Sequence, residues 1–495
     1  MYFGVRTSLL SFCSKSSSRL RGPYAFPLAL VLAACGGTVD EPAAGIETAA
    51  VSSESQLKSH GHPDGEELFQ TPFKHTNGRS CATCHVLEDH TVLTPAHVTE
   101  LLAQNPADPL FNPIDADDPT AAVPTYEALK HGLVRVVIDL PDNMDLIDFD
   151  GNVVTPPDRT VSVWRAVPTV ENTAITAPYQ YDGRKGTLQE QAQGAIIAHS
   201  QGKKVAKKDL DAIAAFQKEQ FTSLRAKLVA KQLAYGVPVE DIVPPEKFMR
   251  LTDAQARGRD VYNVACEACH GGATTLQVVN RDVHDLAFLE LKPDGNVVFD
   301  TSVTPPRPVE TPQPGNEFLN VGFANISYLG QIYGDLFGPR FNKSVSLPRY
   351  RYRFYKDKKR KVIDVDLPPI PQTVDDNPFG LFAKTDANGA PIVGPNLLPQ
   401  AFSTDPGRAA ITGSPHDFEA FDVPALRGIV HSAPYFHDNS AETLRDAVDL
   451  YSRFILPFFT MLNLPANLPP ENGGFFPESL TPEQKADLLE FLQVL

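Results

Sequence analysis

The sequence predicts a mainly α fold built from two tandem, related domains joined by long loops. Three observations predict it. The pattern C-x-x-C-H occurs twice, as C-A-T-C-H at 81–85 and C-E-A-C-H at 266–270. When the chain is slid against itself by 256 residues, V-P-T-V-E-N-T-A-I-T-A-P-Y-Q-Y-D-G-R-K-G-T-L at 167–188 falls without a gap on V-P-A-L-R-G-I-V-H-S-A-P-Y-F-H-D-N-S-A-E-T-L at 423–444. Capping-box patterns, T-D-A-Q at 252–255 and T-P-E-Q at 481–484, announce helices before the second motif and at the end of the chain.

The chain begins with an address. Arg6, Lys15, Arg19 and Arg21 precede an apolar run from Tyr24 to Ala34 that is too short to span a bilayer and ends L-A-A-C at Cys35. That ending resembles a bacterial lipobox, so residues 1–35 read as a lipoprotein signal peptide with Cys35 as the lipidated residue. A plain secretory signal is the competing reading, and both place the protein outside the cytoplasm, in the periplasm or cell envelope. Residues 36–60 contain no aromatic side chain and read as a flexible tether.

The first domain follows over 61–243 and the second over 244–495. In the first, K-K-D-L-D-A-I-A-A-F-Q-K-E-Q-F at 207–221 has helical periodicity and is followed by a charged stretch leading to the linker near Pro244. In the second, Leu488, Leu489, Phe491, Leu492 and Leu495 form an apolar stripe behind Pro482, which stands at the first helical position. The halves differ in length. His85 precedes Val167 by 82 residues and His270 precedes Val423 by 153, so the second half carries 71 more, in an insertion over about 287–400. Within it, R-Y-R-Y-R-F-Y at 349–355 alternates basic and aromatic residues and predicts a small β-hairpin with its aromatic face packed down. Its eight basic residues between Arg349 and Lys361 alternatively suit an acidic redox partner.

Composition narrows the function. There are 44 prolines against 32 glycines, which predicts long, stiffened connections. Lys and Arg number 44 against 60 Asp and Glu, a formal charge of −16, which argues against a nucleic-acid partner, whose phosphates need a basic face. Of six cysteines, Cys13 lies in the leader and Cys35 at its end. The remaining four, Cys81, Cys84, Cys266 and Cys269, all sit in C-x-x-C-H. Two thiols three residues apart reach the two vinyl groups of one haem, and the adjacent histidine reaches its iron, which makes His85 and His270 proximal ligands of two covalent haem c groups. Zinc would need four ligands gathered at each motif, and redox dithiols follow a strand and lack the adjoining histidine.

Together, the two C-x-x-C-H motifs, Y-D-G-R-K-G-T-L-Q-E-Q-A and A-P-Y-F-H-D-N-S-A-E-T-L resemble the bacterial di-haem cytochrome c peroxidase and MauG superfamily. The resemblance covers both domains and neither the leader nor the insertion. It implies two cytochrome c-like domains, one haem reacting with peroxide and the other passing electrons from an external donor.

Residue by residue, the resemblance gives Gln191 the place of the distal-pocket glutamine. Tyr181 stands where the family has a tryptophan between the haems. Gln201 stands where peroxidases carry an acid–base glutamate, with His199 two residues before it. A glutamine cannot shuttle a proton, so His199 is the acid–base group, an iron ligand or a surface imidazole. In the second domain Tyr451 takes the sixth-ligand position, as in MauG-type members, with Met461 as competitor. An inter-haem calcium site is implied by Ser432 and Pro434, although Ala166 replaces the expected asparagine.

The function implied is an exported oxidoreductase. It would reduce hydrogen peroxide at the first haem with electrons delivered through the second from a small redox protein. A MauG-like oxidation of a protein or organic substrate would use the same architecture. The alternative of another class is a membrane-tethered di-haem electron carrier without substrate turnover.

Overall fold

A computed structural model gives the positions of residues 64–148, 152–238, 241–270, 299–300, 307–308, 318–319, 347–348, 350–355, 403–414, 417–456 and 478–495. All belong to one compact unit spanning His60–Leu495. The leader with Cys35, the tether 36–60, Met461, most of the insertion and the basic run after Tyr355 lie outside the described residues.

The described chain is mainly helical. The longer helices are α1 (Gly65–Gln70), α2 (Pro95–Gln104), α3 (Leu188–Ala198), α4 (Lys207–Lys218), α5 (Leu224–Ala234), α6 (Asp253–Ala265), α7 (Leu444–Leu450) and α8 (Pro482–Leu492). The signals read from the sequence set their ends. Thr252 and Thr481 close reciprocal capping boxes with Gln255 and Gln484, and Pro482 occupies the first turn of α8. The charged stretch after residue 221 is itself a helix, α5, whose start is capped by Ser223. Ala226 and Val229 are buried while Lys227 and Lys231 lie on the outer side, so the charged stretch that leads to the linker near Pro244 is an amphipathic helix. None of the described helices is long and apolar enough to cross a membrane.

Strands β1 (Leu133–Asp139) and β3 (Thr160–Ala166) pair antiparallel from Leu133 opposite Ala166 to Asp139 opposite Thr160. The helical reading omitted them, although L-V-R-V-V-I-D and T-V-S-V-W-R-A both alternate. Strand β2 (Met144–Ile147) pairs with β4 (Arg351–Phe354), with Met144 opposite Phe354 and Ile147 opposite Arg351. The basic–aromatic run therefore does form a strand, and Tyr352 and Phe354 do face inward. Its described partner comes from the first half, about 200 residues earlier in sequence, and the run that follows Tyr355 lies outside the described residues. Alternation fixes which face is buried but not which edge is paired. One apolar core holds Leu93, Val98 and Val136 together with Tyr352, Phe354 and Phe418, so this segment packs into the first half.

The 256-residue repeat in sequence is a repeat in geometry. Asn172 and Gly428 both have positive φ and each opens a 3-10 turn, Thr173–Ile175 and Ile429–His431. Tyr179 donates its hydroxyl hydrogen to the Thr173 carbonyl and Tyr435 to that of Ile429, each at 3.0 Å. Isolated bridges join Tyr179 to Lys185 and Tyr435 to Ala441. Thr187 and Thr443 then cap α3 and α7. Helix pairs repeat too. α1 lies on α4 so closely that a Cβ on Gly65 would sit 2.2 Å from the Ala212 carbonyl oxygen, and α6 lies on α8 with Gly258 against Asp487 in the same way.

A buried ion network joins the halves. Arg165, at the end of β3, donates from Nε and Nη2 to the two oxygens of Asp405 at 2.7 and 2.9 Å, and from Nη1 to Asp182 at 2.5 Å. Arg184 also pairs with Asp182, and Arg408 Nη1 donates to the Asp182 carbonyl at 2.8 Å. Burial alone would raise the Asp182 carboxyl, but Arg165 and Arg184 outweigh it and hold the group below the usual carboxylate range. Replacing Arg165 by methionine leaves two buried carboxylates without it and is expected to lower unfolding free energy by about 3–5 kcal/mol in urea titrations. A loss below about 1 kcal/mol would mean the network does not hold the halves. Because its folded pKa is depressed, Asp182 contributes stability fully above its unfolded value of about 3.9, and this is lost as pH falls through the lower folded value. Asp182→Asn should therefore flatten the stability profile below about pH 4, and an unchanged acid slope would count against the pairing.

Candidate active site

Each C-x-x-C-H segment is a tight turn that turns its histidine inward. Cys81–Thr83 is a 3-10 turn capped by Ser80, and Glu267–His270 is a single helical turn that follows α6. His85 Nδ1 lies 3.1 Å from the Thr91 carbonyl oxygen, and the Pro168 carbonyl also hydrogen-bonds this ring. His270 Nδ1 lies 2.9 Å from the Pro424 carbonyl oxygen. Pro168 and Pro424 are repeat mates. In each motif a backbone carbonyl, that of Thr91 or that of Pro424, takes the Nδ1 proton and leaves Nε2 as a lone-pair donor, and the repeated V-P segment hydrogen-bonds the histidine ring in both halves. Burial pushes the His85 imidazole down to about 4 and lowers His270, so both rings are neutral at physiological pH.

The thiols speak to the competing readings. Burial pushes Cys81 and Cys269 up to about 11, and Cys84 and Cys266 up to about 12. A redox dithiol needs a depressed pKa, and these are raised. Among the described residues no three His, Cys, Asp or Glu side chains converge as a metal cage. Two protonated thiols beside a neutral, oriented imidazole do fit a covalent haem c, and this is true of both motifs.

One cavity of about 380 Å³ is lined by both histidines, by Cys266 and Cys269, and by Tyr181, Gln191 and Tyr451. Gln191 enters from the first half of α3. His199 caps the C-terminus of that helix, and Asn77 Nδ2 holds its carbonyl at 2.9 Å. Burial, then the nearby Arg79 and Arg184, depress the His199 imidazole against the pull of Asp115, and its charge would in turn bear on His85. Arg79, two residues before Cys81, donates to Asp115 at 2.6 Å and ties the haem-motif loop to the same region. Gln201 does not join them. It is exposed, at a φ of 52°, and lies beyond the helix end.

At the second motif the Tyr451 hydroxyl stands 3.4 Å from His270 Nε2. Burial raises the pKa of this phenol, so it would become a phenolate only with a cation against it. Between the motifs Tyr181 meets His437 edge-on, with ring centroids 6.4 Å apart, and His437 stacks on Phe421 at 4.1 Å. The sequence reading passed over His437. It is the repeat mate of Tyr181, it is 4% exposed, and its Nε2 has no hydrogen-bond partner among the described residues. The 256-residue internal alignment, read outward from Tyr181, would have found it.

Comparisons with known proteins add to this. No family model matches the chain. A stretch of 50 residues is 46% identical to the cytochrome c551 peroxidase of Nitrosomonas europaea; it spans 10% of this chain and only 15% of that protein. Solved structures with low similarity include a MauG-like protein associated with microbial copper homeostasis, at 16% identity, 87% of each chain and a TM-score of 0.35. The diheme peroxidase BthA from Burkholderia thailandensis E264 gives 15% identity, 86% of this chain, 84% of that one and a TM-score of 0.30. Scores at that level carry no argument about fold. The two C-x-x-C-H motifs, the repeated segment and the cytochrome c551 peroxidase match together give the conclusion: this chain resembles the bacterial di-haem cytochrome c peroxidase and MauG superfamily.

Proposed function

We propose that the protein is an exported, membrane-tethered di-haem oxidoreductase of two tandem haem c domains, which reduces hydrogen peroxide to water. The observation that carries the reading is the pair of C-x-x-C-H turns, each with its histidine held through Nδ1 by a backbone carbonyl, that of Thr91 for His85 and of Pro424 for His270, with both histidines on one shared cavity. Cys81, Cys84 and His85 would hold the peroxide-reacting haem, and Cys266, Cys269, His270 and Tyr451 the electron-transfer haem. Bound there, haem iron supplies reversible one-electron chemistry and an open site for an oxygen ligand.

The chain's own residues supply the rest. Gln191 offers an amide donor to orient peroxide. His199, neutral because burial and neighbouring arginines depress it, accepts the proton of one peroxide oxygen and returns it to the other as water leaves. Two electrons from a small external redox protein and two protons from solvent complete the conversion of one peroxide to two waters. Cys35 and the tether would keep the protein at the membrane.

A second reading is an electron carrier with both irons six-coordinate and His199 as a ligand. The exposed Gln201, where a carboxylate would be needed, favours it. Optical and EPR spectra of the haem-loaded protein, oxidised and half-reduced, separate the two. A high-spin component that changes on adding peroxide is expected, and a wholly low-spin, peroxide-inert protein would sink the peroxidase reading. His199→Phe should lower peroxide turnover by about a hundredfold or more with little change in KM. If His199 is instead an iron ligand, the same variant turns one low-spin iron high-spin and raises peroxide reactivity.

A further inference from the structure

We propose that Lys485 is a positioning residue, which acts through a buried ion cluster to hold the turn carrying Tyr451 and so to set that phenol opposite His270. The inference rests on the reading of Tyr451 as the sixth ligand of the second haem.

Lys485 is wholly buried on α8, at 0% exposure. A lysine so placed is retained only where anions compensate its lost hydration. Its ammonium lies 2.9 Å from Asp449 Oδ1 and also pairs with Glu478. Glu478 in turn accepts from Arg453 Nε and Nη2 at 3.0 and 2.9 Å. Asp449 and Arg453 stand two residues before and two after Tyr451. Between them Ser452 accepts at its hydroxyl from the Ser479 and Leu480 amides, at 3.1 and 3.0 Å, and at its carbonyl from Ser479 at 2.9 Å.

The backbone so bolted down is a π turn, Tyr451–Ile455. Such wide turns are rare, occur mostly singly and cluster at functional sites. Here external bonds take over what the regular helix would have supplied. The other face of α8 explains why the clamp sets a distance as well as an angle. It packs on α6, where Gly258 admits the Asp487 carbonyl and Arg257 donates to both Asp487 oxygens at 2.7 and 2.8 Å. α6 runs directly into Cys266 and His270. One rigid helix therefore touches the segment of the proximal histidine on one side and the turn of the opposing tyrosine on the other.

The duplication supplies an internal control. The 256-residue shift places Gln193 at Asp449 and Ala195 at Tyr451, and the matched helix pairs place Leu210 at Lys485. Leu210 packs in an apolar core, and Gln193 accepts from the Val205 amide at 3.0 Å. The half without a tyrosine at this position has neither the lysine nor its carboxylate. A cluster needed for the fold of either half would be expected in both.

Two variants of the full-length, haem-loaded protein test this. One is Lys485→Met; the other combines Lys485→Leu with Asp449→Gln, the pair found in the first half, which removes one charge of each sign, keeps the Arg453–Glu478 pair and takes Asp449 from the partly exposed Arg445. Resonance Raman modes of iron-bound tyrosinate, the midpoint potential of the second haem and the spectrum of the first are measured. The expected result is a roughly ten- to hundredfold fall in the ratio of tyrosine-bound to unbound second haem in both variants, with a changed second potential and an unaltered first haem. Unchanged tyrosinate modes and potential in the double variant overturn the inference, as does loss of both haem spectra together, which would make the cluster merely structural. If the unmodified protein shows no tyrosinate modes and Tyr451→Phe leaves its spectrum unaltered, the reading of Tyr451 fails instead.

Discussion

The Arg165 guanidinium is the point on which the rest of the described structure turns. It forks to two carboxylates, Asp405 through two bonds and Asp182 through one, and all three side chains are at most 3% exposed. Only arginine offers donors in that fixed planar arrangement. Taking these charges out of water costs several kcal/mol per ion, so the network adds little net stability compared with an apolar packing of equal volume. What it adds is register. Asp182 directly follows Tyr181, and the residue after Arg165, Ala166, donates its amide to the His437 carbonyl at 2.7 Å. The two repeat mates Tyr181 and His437 are thereby brought edge to edge where the halves meet, and the shared cavity forms around them.

From that seam the duplicated scaffold works outward in the same way on each side. The V-P segment leaves the seam, presents its proline carbonyl to the histidine of the C-x-x-C-H turn, and returns through the A-P-Y turn to the capped helix on the far side of the cavity. This explains why the repeat conserves residues that carry no chemistry of their own. A backbone carbonyl that accepts from Nδ1 fixes which nitrogen faces the cavity, and a tyrosine hydroxyl tied to the preceding 3-10 turn braces the loop between the proline and the helix.

What could be read from the sequence follows from how local each signal is. The capping boxes, the C-x-x-C-H turns and the repeat depend on neighbours within a few residues or on exact spacing, and α6 and α8 stand where they were expected. Strand partners depend on edges far apart in the chain. The run at 349–355 showed its strand character and its buried face, but nothing in it points to Met144–Ile147. α5 was hidden because it buries only Ala226 and Val229 and leaves Leu224 and Leu228 exposed among its charged residues. Gln201 was placed by a spacing that the turn after α3 does not keep, since the chain there reverses through a positive φ. Lys485 was invisible, because a lysine in a helix is ordinarily solvated and only tertiary packing shows it at 0% exposure.

The two halves part company only on the far side of the cavity, and the difference is electrostatic. The first half presents an amide at Gln191 in the cavity wall and carries a neutral imidazole at His199 at the end of the same helix, groups that can bind and exchange a proton without fixing a charge. The second presents a phenol facing His270, on a turn locked by paired buried ions. A repeated segment can vary the group beyond its histidine with few substitutions, because α3 and α7 start from equivalent threonine caps. Locking one side suits a site that must keep its coordination while passing electrons, and leaving the other side proton-mobile suits a site that must admit and release a small oxygen ligand. Under the proposed function, the asymmetry in side chains beyond the two histidines is what would let one haem react with peroxide while the other passes electrons.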